Sequence, residues 1–188
     1  MGPVVKAGSV NGPLRNTYRK MILSVTVESF LNFEGQIIAE VSSTEDKGKF
    51  TILFGRNGCG KSSLVTAIIW CLFDQKSSKK LINNQDLSKG VTQCSVIVRL
   101  YSQHETIDVK KTYKIRGNVV SYQATYHSAS HGTSSNISPV TLTNEEEIRS
   151  VLQNKFNVNT ASIDSVYCAQ SSENLQSLKN PLELLRFV

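Results

Sequence analysis

The eight residues Gly55-Arg56-Asn57-Gly58-Cys59-Gly60-Lys61-Ser62 constrain this chain more than any other stretch. They satisfy the spacing GxxxxGK[ST], in which glycines let the backbone wrap closely around phosphates and turn successive N–H groups inward. A helix that begins directly after such a loop adds free amides and a dipole that favour anions. The pattern predicts that Lys61 contacts the β- and γ-phosphates of a nucleotide, and that the Ser62 hydroxyl binds Mg²⁺.

The segments on either side of this loop predict an α/β core. Apolar residues alternate as in strands at 21–30 and 35–41, and a third strand at 50–54 leads into the loop. After the loop, residues 60–73 predict a helix that is apolar on nearly all sides. A helix of that kind is buried, here against a sheet.

The second half of the chain predicts an antiparallel β-subdomain beside that core. Its three strand-like runs occupy 93–102, 106–115 and 118–127, after a basic, amide-rich loop at 76–90. Gly117-Asn118 is a turn signal between the last two runs. Thr143 and Glu146 form a capping box that opens a helix at 144–156.

Composition is consistent with one domain that carries a tail. The 188 residues can bury a core, and the net charge of +6 favours acidic partners such as nucleic acid or nucleotides. The four cysteines have no CxxC pair, which predicts reduced thiols in the cytosol or nucleus. No apolar run is long enough for a membrane span. Residues 1–20 are rich in glycine and asparagine and predict a disordered tail.

The motif G-x-N-G-x-G-K-S around Asn57-Gly58, together with two flanking segments, resembles the ATP-binding heads of the SMC (structural maintenance of chromosomes) family and its DNA-repair ABC relatives. Upstream, ESFLNFEGQ at 28–36 is similar to the family's opening strand with its F-x-x-aromatic element. Downstream, AQSSENLQSLKNPLELLRF at 169–187 is similar to its Q-loop segment. KSSLVTAI and the ELL ending favour the SMC five/six repair type, while cohesin- and condensin-type heads and the zinc-hook repair ATPase stay open.

The resemblance implies the N-terminal lobe of an ABC-type ATPase head at 21–178, with a coiled-coil neck beginning at 179–188. ATP and Mg²⁺ are the implied cofactors. Gln170 would contact Mg²⁺ and position the attacking water, so Lys61 and Gln170 are the catalytic candidates and Ser62 and Gln170 the metal ligands. The implied ATP-binding residues are Arg56, Asn57, Gly58, Cys59, Gly60, Lys61, Ser62 and Ser63. The basic residue that many members carry inside the first F-x-x-aromatic element is absent, because Leu31 and Asn32 stand there.

Two parts that an ATPase of this type needs are missing from the sequence: a Walker B strand ending in Asp-Glu and an LSGG-like signature. Asp74 ends the run IIWCLFD but follows a predicted helix rather than a strand. The resemblance places both parts in a C-terminal lobe beyond a coiled coil. The expected partners are that lobe, a second head, a kleisin-like subunit and double-stranded DNA. The expected location is the nucleus and its chromosomes, or the nucleoid if the source is bacterial.

Basic side chains give candidate DNA contacts, whose binding to phosphates would be sequence-blind and salt-sensitive. They are Lys79, Lys80, Lys110, Lys114 and Arg116. A solvated strand face explains the last three equally well. Two other functions stay open: a self-contained small P-loop NTPase or kinase, and a degenerate module that binds nucleotide only to set its shape.

Overall fold

The computed structural model describes residues 20–42, 52–73, 76–102, 105–128, 139–156 and 158. Within these ranges the strands are β1 (Lys20–Phe30), β2 (Phe33–Glu40), β3 (Gln93–Ser102), β4 (Glu105–Lys114), β5 (Val119–Ser128) and β6 (Val140–Leu142). The helices are α1 (Lys61–Leu72), α2 (Asn84–Ser88) and α3 (Glu145–Phe156). Short 3₁₀ turns occupy Lys79–Leu81 and Arg116–Asn118.

The strands form one six-stranded antiparallel sheet in the order β2-β1-β3-β4-β5-β6. Its register lines up Val25, Val98, Val109 and Ala124 across four neighbouring strands. All four side chains are fully buried. Small and β-branched residues in one row suit the covered face of a pleated sheet, and this row is the centre of the core.

Both long helices cover the same face of the sheet. Lys111, which shares the face of Val109, donates from its Nζ to the carbonyl oxygen of Trp70 in α1 at 3.0 Å. At the other end of the sheet, Ser102 donates its hydroxyl to the Lys155 carbonyl oxygen in α3 at 2.9 Å. The opposite face includes the exposed Arg99 and Lys114 and is mostly accessible to solvent, with Ser95 and Thr112 as buried exceptions. An antiparallel sheet tolerates this arrangement because it needs cover on one face only.

Most predicted elements of the antiparallel subdomain are present. The strands predicted at 93–102, 106–115 and 118–127 correspond to β3, β4 and β5, and α1 lies within the helix predicted at 60–73. Gly117 and Asn118 take positive φ values of 81° and 51° at the turn between β4 and β5. Short strand β6 was not predicted, and the loop predicted at 76–90 contains α2 and a 3₁₀ turn.

The strand predicted at 50–54 is not observed in its described part. Ile52, Leu53 and Phe54 belong to no strand, and the side chains of Ile52 and Phe54 are 55% and 52% exposed. An extended segment becomes a strand only when a neighbour takes up its backbone N–H and C=O groups. The described strands pair among themselves and leave these residues without such a neighbour.

The capping box at Thr143 is also wrong. Asn144 caps α3, because its side-chain oxygen accepts hydrogen bonds from the backbone N–H groups of Glu146 and Glu147 at 2.9 and 3.3 Å. Several other predictions lie outside the described residues. They are the tail predicted at 1–20 apart from Lys20, together with Asp74, Gln170 and the neck helix at 179–188.

Candidate nucleotide-binding site

The glycine loop has the backbone that its sequence predicts. Gly58 and Gly60 have φ values of 81° and 93°, in the left-handed region that favours glycine. The turn is closed by the Cys59 N–H, which donates to the Arg56 carbonyl oxygen at 3.3 Å. A Cβ at Gly60 would lie 2.8 Å from the ring of Phe33, so this position needs glycine for space as well as for conformation.

The loop ends at the open N-terminus of α1. The Leu64 N–H donates to the Gly60 carbonyl oxygen at 2.8 Å and so begins the helical hydrogen bonds. The backbone N–H groups of the first turn have no partner inside a helix. No side chain caps this end, and the first turn carries no acidic residue. The positive end of the helix dipole is therefore left uncompensated for an anion.

Lys61 rests on the loop that precedes it. Its Nζ donates to the carbonyl oxygens of Gly55 at 2.7 Å and Arg56 at 2.9 Å, and lies 3.9 Å from the Cys59 Sγ. The ammonium group is thus held beside the helix N-terminus by two neutral acceptors. Because charge-assisted bonds to phosphate oxygens are stronger than bonds to carbonyls, a bound phosphate can displace this arrangement.

Most predicted ATP-binding residues are accessible. The side chains of Arg56, Asn57, Cys59 and Ser62 are exposed, so a hydroxyl suited to Mg²⁺ stands in the first turn of α1. Ser63 differs, because it is only 8% exposed. Any contact that Ser63 makes with a phosphate therefore goes through its backbone N–H.

A largely apolar groove of about 510 Å³ adjoins the loop. It runs between edge strand β2 and the segment 52–54 and ends at Lys61. Its lining residues include Phe33, Ile37, Ile38, Leu53, Phe54 and Leu64. None of these six residues was predicted from the sequence to belong to the nucleotide-binding site. Phe33 carried the one available signal, since it is the aromatic residue of the F-x-x-aromatic element at 30–33.

The other predicted site residues lie apart from the loop or outside the described chain. Lys110 is half-buried and Lys114 exposed on the open face of the sheet, and Arg116 is exposed in the turn after β4. Lys79 and Lys80 are exposed on the 3₁₀ turn that follows α1. Gln170 is not among the described residues, so the catalytic pair of Lys61 with Gln170 stays a prediction.

Comparison with known families agrees with the geometry of the loop. A family model described as an AAA domain matches residues 24–187. The chain belongs to this AAA domain family. No curated protein matches it. The AAA domain in question is an AAA-type ATPase domain found in SMC-like proteins, and membership supports nucleotide binding.

The described residues fit the cofactors that an AAA-type ATPase domain uses, a nucleotide and Mg²⁺. The positive-φ glycines make the cradle, the free end of α1 supplies N–H donors, and Lys61 supplies the cation. Ser62 would be the metal ligand from this loop. None of the helices in the described ranges is long and apolar enough to cross a membrane.

Proposed function

We propose that this chain is the ATP-binding N-terminal lobe of an SMC-type ATPase that organises chromosomes or repairs DNA. The observation that carries the proposal is the uncapped N-terminus of α1, with Lys61 held 2.7 Å from the Gly55 carbonyl oxygen beside it. An open helix end and a lysine ammonium beside positive-φ glycines are the parts of a phosphate site. The AAA domain match at 24–187 supports the nucleotide, and the flanking motifs support the SMC branch.

Within the proposed site each residue has a binding or orienting role. Lys61 would exchange its two carbonyl acceptors for the β- and γ-phosphate oxygens, and the backbone N–H groups of Lys61, Ser62 and Ser63 would face the phosphates. The apolar groove beside β2 has room for the rest of the nucleotide. Bound Mg²⁺ neutralises charge on the phosphates during transfer. Gln170 would orient the attacking water.

Hydrolysis would need a second lobe. Every strand pairing in the described ranges is antiparallel, so the second parallel strand that carries the acidic Mg²⁺ ligand of a self-contained P-loop kinase is not among them. Ile38, Ile52 and Phe54 are 65%, 55% and 52% exposed next to the edge of β2 that no other described strand pairs with. Apolar side chains at a free strand edge favour further protein there. We assign this edge to the C-terminal lobe of the same head.

The proposed partners of the assembled molecule are a second head, a kleisin-like subunit and double-stranded DNA, in the nucleus on chromosomes. Lys110 and Lys114 share the open face of the sheet and are about 13 Å apart at the spacing of an extended strand. Arg116 follows at the same end of β4. Cations grouped at one end of an accessible sheet face suit contacts with the phosphates of a nucleic acid backbone.

The central test is MgATP binding to the full chain by isothermal titration calorimetry. Lys61→Ala removes the phosphate cation, and we expect at least about a tenfold loss of affinity, as a charge-assisted bond of about 1.5–3 kcal/mol would give. Lys76→Ala removes the same charge from an exposed lysine outside the loop and serves as the matched control. Equal affinity in the parent, Lys61→Ala and Lys76→Ala chains contradicts the proposal.

Turnover separates a half-site from a complete enzyme. We expect the chain alone to release no more phosphate from ATP than Lys61→Ala does. Co-expression with a C-terminal segment that carries Walker B and signature motifs should restore turnover. Lys61-dependent hydrolysis by the isolated chain would instead identify a self-contained NTPase, and binding that never leads to turnover would identify a degenerate module.

DNA binding is tested by its salt dependence. Replacing Lys110, Lys114 and Arg116 together by alanine should reduce the slope of log K against log salt by about 0.9 for each phosphate that the protein no longer neutralises. Arg149→Ala, on α3 at the covered face, changes the charge without touching the open face. A slope that is unchanged in the triple variant assigns these cations to a solvated surface.

A further inference from the structure

The hairpin between β1 and β2 is held in a strained conformation. Ser29 and Leu31 have φ values of 50° and 49° although neither is glycine. The left-handed region is costly for residues with a Cβ, and it persists where surrounding contacts enforce it. The register between β1 and β2 also shifts between Glu28 and Phe30. The contacts that enforce this shape come from the segment after α1.

Backbone hydrogen bonds make the first connection. The Leu31 N–H donates to the Leu81 carbonyl oxygen at 2.7 Å, and the Asn83 N–H donates to the Ser29 carbonyl oxygen at 2.8 Å. Both residues with positive φ are therefore tied to one short stretch of chain. Both bonds join main-chain atoms, so their donors and acceptors remain when the side chains of Asn83 and Asp86 are shortened.

Two buried polar side chains add a second connection. The Asn83 Nδ2 donates to the Leu31 carbonyl oxygen at 2.7 Å, and the Gly35 N–H donates to the Asp86 Oδ2 at 2.8 Å. Asn83 is 7% exposed and Asp86 is 5% exposed. The Asn83 side-chain oxygen also caps α2, accepting from the N–H groups of Gln85 and Asp86 at 2.9 and 3.2 Å. The amide of Asn83 thus joins α2 to the hairpin.

The hairpin in turn supports the glycine loop. Phe33 lies between Leu31 and Gly35, the two hairpin positions that Asn83 and Asp86 bind. A Cβ on Gly60 would lie only 2.8 Å from the Phe33 ring, so the ring packs directly against this glycine. Gly60 is the N-cap of α1 and the last loop residue before Lys61. Displacement of Phe33 would remove the side chain that packs against Gly60.

We propose that Asn83 and Asp86 are positioning residues for the glycine loop: they fix the strained hairpin so that Phe33 supports Gly60 and the N-terminus of α1. The proposal rests on the nucleotide site proposed above. It assigns to two side chains outside the loop a share in setting nucleotide affinity. Neither residue lines the groove beside the glycine loop, so their effect on the site would pass through Phe33.

The variants separate the hairpin bonds from the fold of α2. Asn83→Ser keeps an oxygen that can cap α2 but is too short to reach the Leu31 carbonyl. Asp86→Ala removes the acceptor for the Gly35 N–H, and Asp86→Asn is the conservative variant that restores a neutral acceptor. Glu34→Gln is the matched control, because Glu34 lies on the same hairpin and pairs with Lys89 at the exposed surface.

The readout is site-resolved alkylation by N-ethylmaleimide, followed by mass spectrometry. Cys59 is an exposed loop residue, whereas Cys71 and Cys94 are buried in the core. We expect Asn83→Ser and Asp86→Ala to raise the alkylation rate of Cys59 about fivefold. Losing one hydrogen bond with a net contribution of about 1 kcal/mol shifts the equilibrium between the ordered and the loosened loop by that factor. The Cys71 and Cys94 rates should stay at the parent values. Glu34→Gln should lie near the parent at all three cysteines, and Asp86→Asn should lie between the parent and Asp86→Ala at Cys59.

MgATP affinity of Asn83→Ser and Asp86→Ala should fall by a similar factor, with Asp86→Asn recovering most of it. An unchanged Cys59 rate overturns the positioning role. So does a rise at Cys59 that Cys71 and Cys94 share, because that pattern means general loosening of the fold. The alkylation assay needs no nucleotide, so a parent chain that fails to bind MgATP contradicts the proposed function while the positioning role is still decided.

Discussion

The Lys111 ammonium lies against the C-terminal end of the helix that begins at the glycine loop. Its Nζ donates to the Trp70 carbonyl oxygen at 3.0 Å and stands 5.1 Å from the centroid of the Trp70 indole. Carbonyls of a helix's last turn lack intrahelical partners, and a cation there also complements the dipole. Lys111 is only 7% exposed, so this end of α1 is fixed to the sheet by a buried charge.

Lys111→Met keeps the volume of the side chain and removes its donor. We expect a loss of about 1–3 kcal/mol in the free energy of unfolding, because a buried carbonyl is left unsatisfied. Urea denaturation followed by Trp70 fluorescence measures it. Lys110→Met changes the next residue, on the open face, and should stay within about 0.5 kcal/mol of the parent. A Lys111→Met chain as stable as the parent would mean that desolvation of the ammonium offsets its bonds.

Gly58 and Gly60 allow backbone strain and steric clash to be measured separately. Both have positive φ, but a Cβ at Gly58 meets nothing within 4 Å whereas one at Gly60 meets Phe33 at 2.8 Å. Gly58→Ala should cost about 1 kcal/mol of unfolding free energy, the strain alone. Gly60→Ala should cost more, because the Phe33 ring must also move.

A double-mutant cycle tests the cause of that difference. Phe33→Leu shortens the side chain and makes room at Gly60, so Gly60→Ala should cost less in the Phe33→Leu background than in the parent. Equal costs in the two backgrounds would show that the contact between Phe33 and Gly60 contributes nothing. Urea midpoints of the four chains are sufficient for the comparison.

The sequence predicted those parts of the molecule whose signal is local. Alternation in 93–127 located β3, β4 and β5, and the GxxxxGK[ST] spacing located the loop and the start of α1. Gly117-Asn118 marked its turn because few residues accept positive φ. Each of these signals lies within a few residues of the structure it specifies.

Features that depend on distant contacts were missed. Ile52, Leu53 and Phe54 form an apolar run like that of a buried strand, but strand pairing depends on a partner that the local pattern does not reveal. Phe33 touches Gly60 across 27 residues, and Asn83 bonds Leu31 across 52. Thr143 and Asn144 are both acceptable caps, and the path of the chain after β6 decides between them.

The cap of α3 gives a direct test of that decision. Asn144→Ala removes the acceptor for the Glu146 and Glu147 N–H groups and should cost about 1 kcal/mol of unfolding free energy. Thr143→Ala should change stability much less, because Thr143 is exposed and Asn144 occupies the cap. Thermal unfolding of the two variants is enough. A larger loss of unfolding free energy in Thr143→Ala than in Asn144→Ala would identify Thr143 as the N-cap.

Asp86 predicts how the fold responds to acid. The Gly35 N–H, with a further hydrogen bond from the Ser29 side chain, lowers the pKa of the Asp86 carboxyl below its ordinary value. Folding therefore favours the ionised form. The resulting stability is fully present above the unfolded pKa of about 3.9, and it is lost as the pH falls through the folded pKa.

Asp86→Asn abolishes this titration while keeping an acceptor for the Gly35 N–H. We expect the variant to be less stable than the parent at neutral pH, and the gap in urea midpoint to narrow as the pH falls below about 4. Glu147→Gln, which removes an exposed carboxylate from α3, controls for net charge and should show a smaller gap. A gap that stays constant from neutral pH to about pH 3 would mean that the Asp86 charge does not stabilise the hairpin, since only an ionised Asp86 can lose its contribution on protonation.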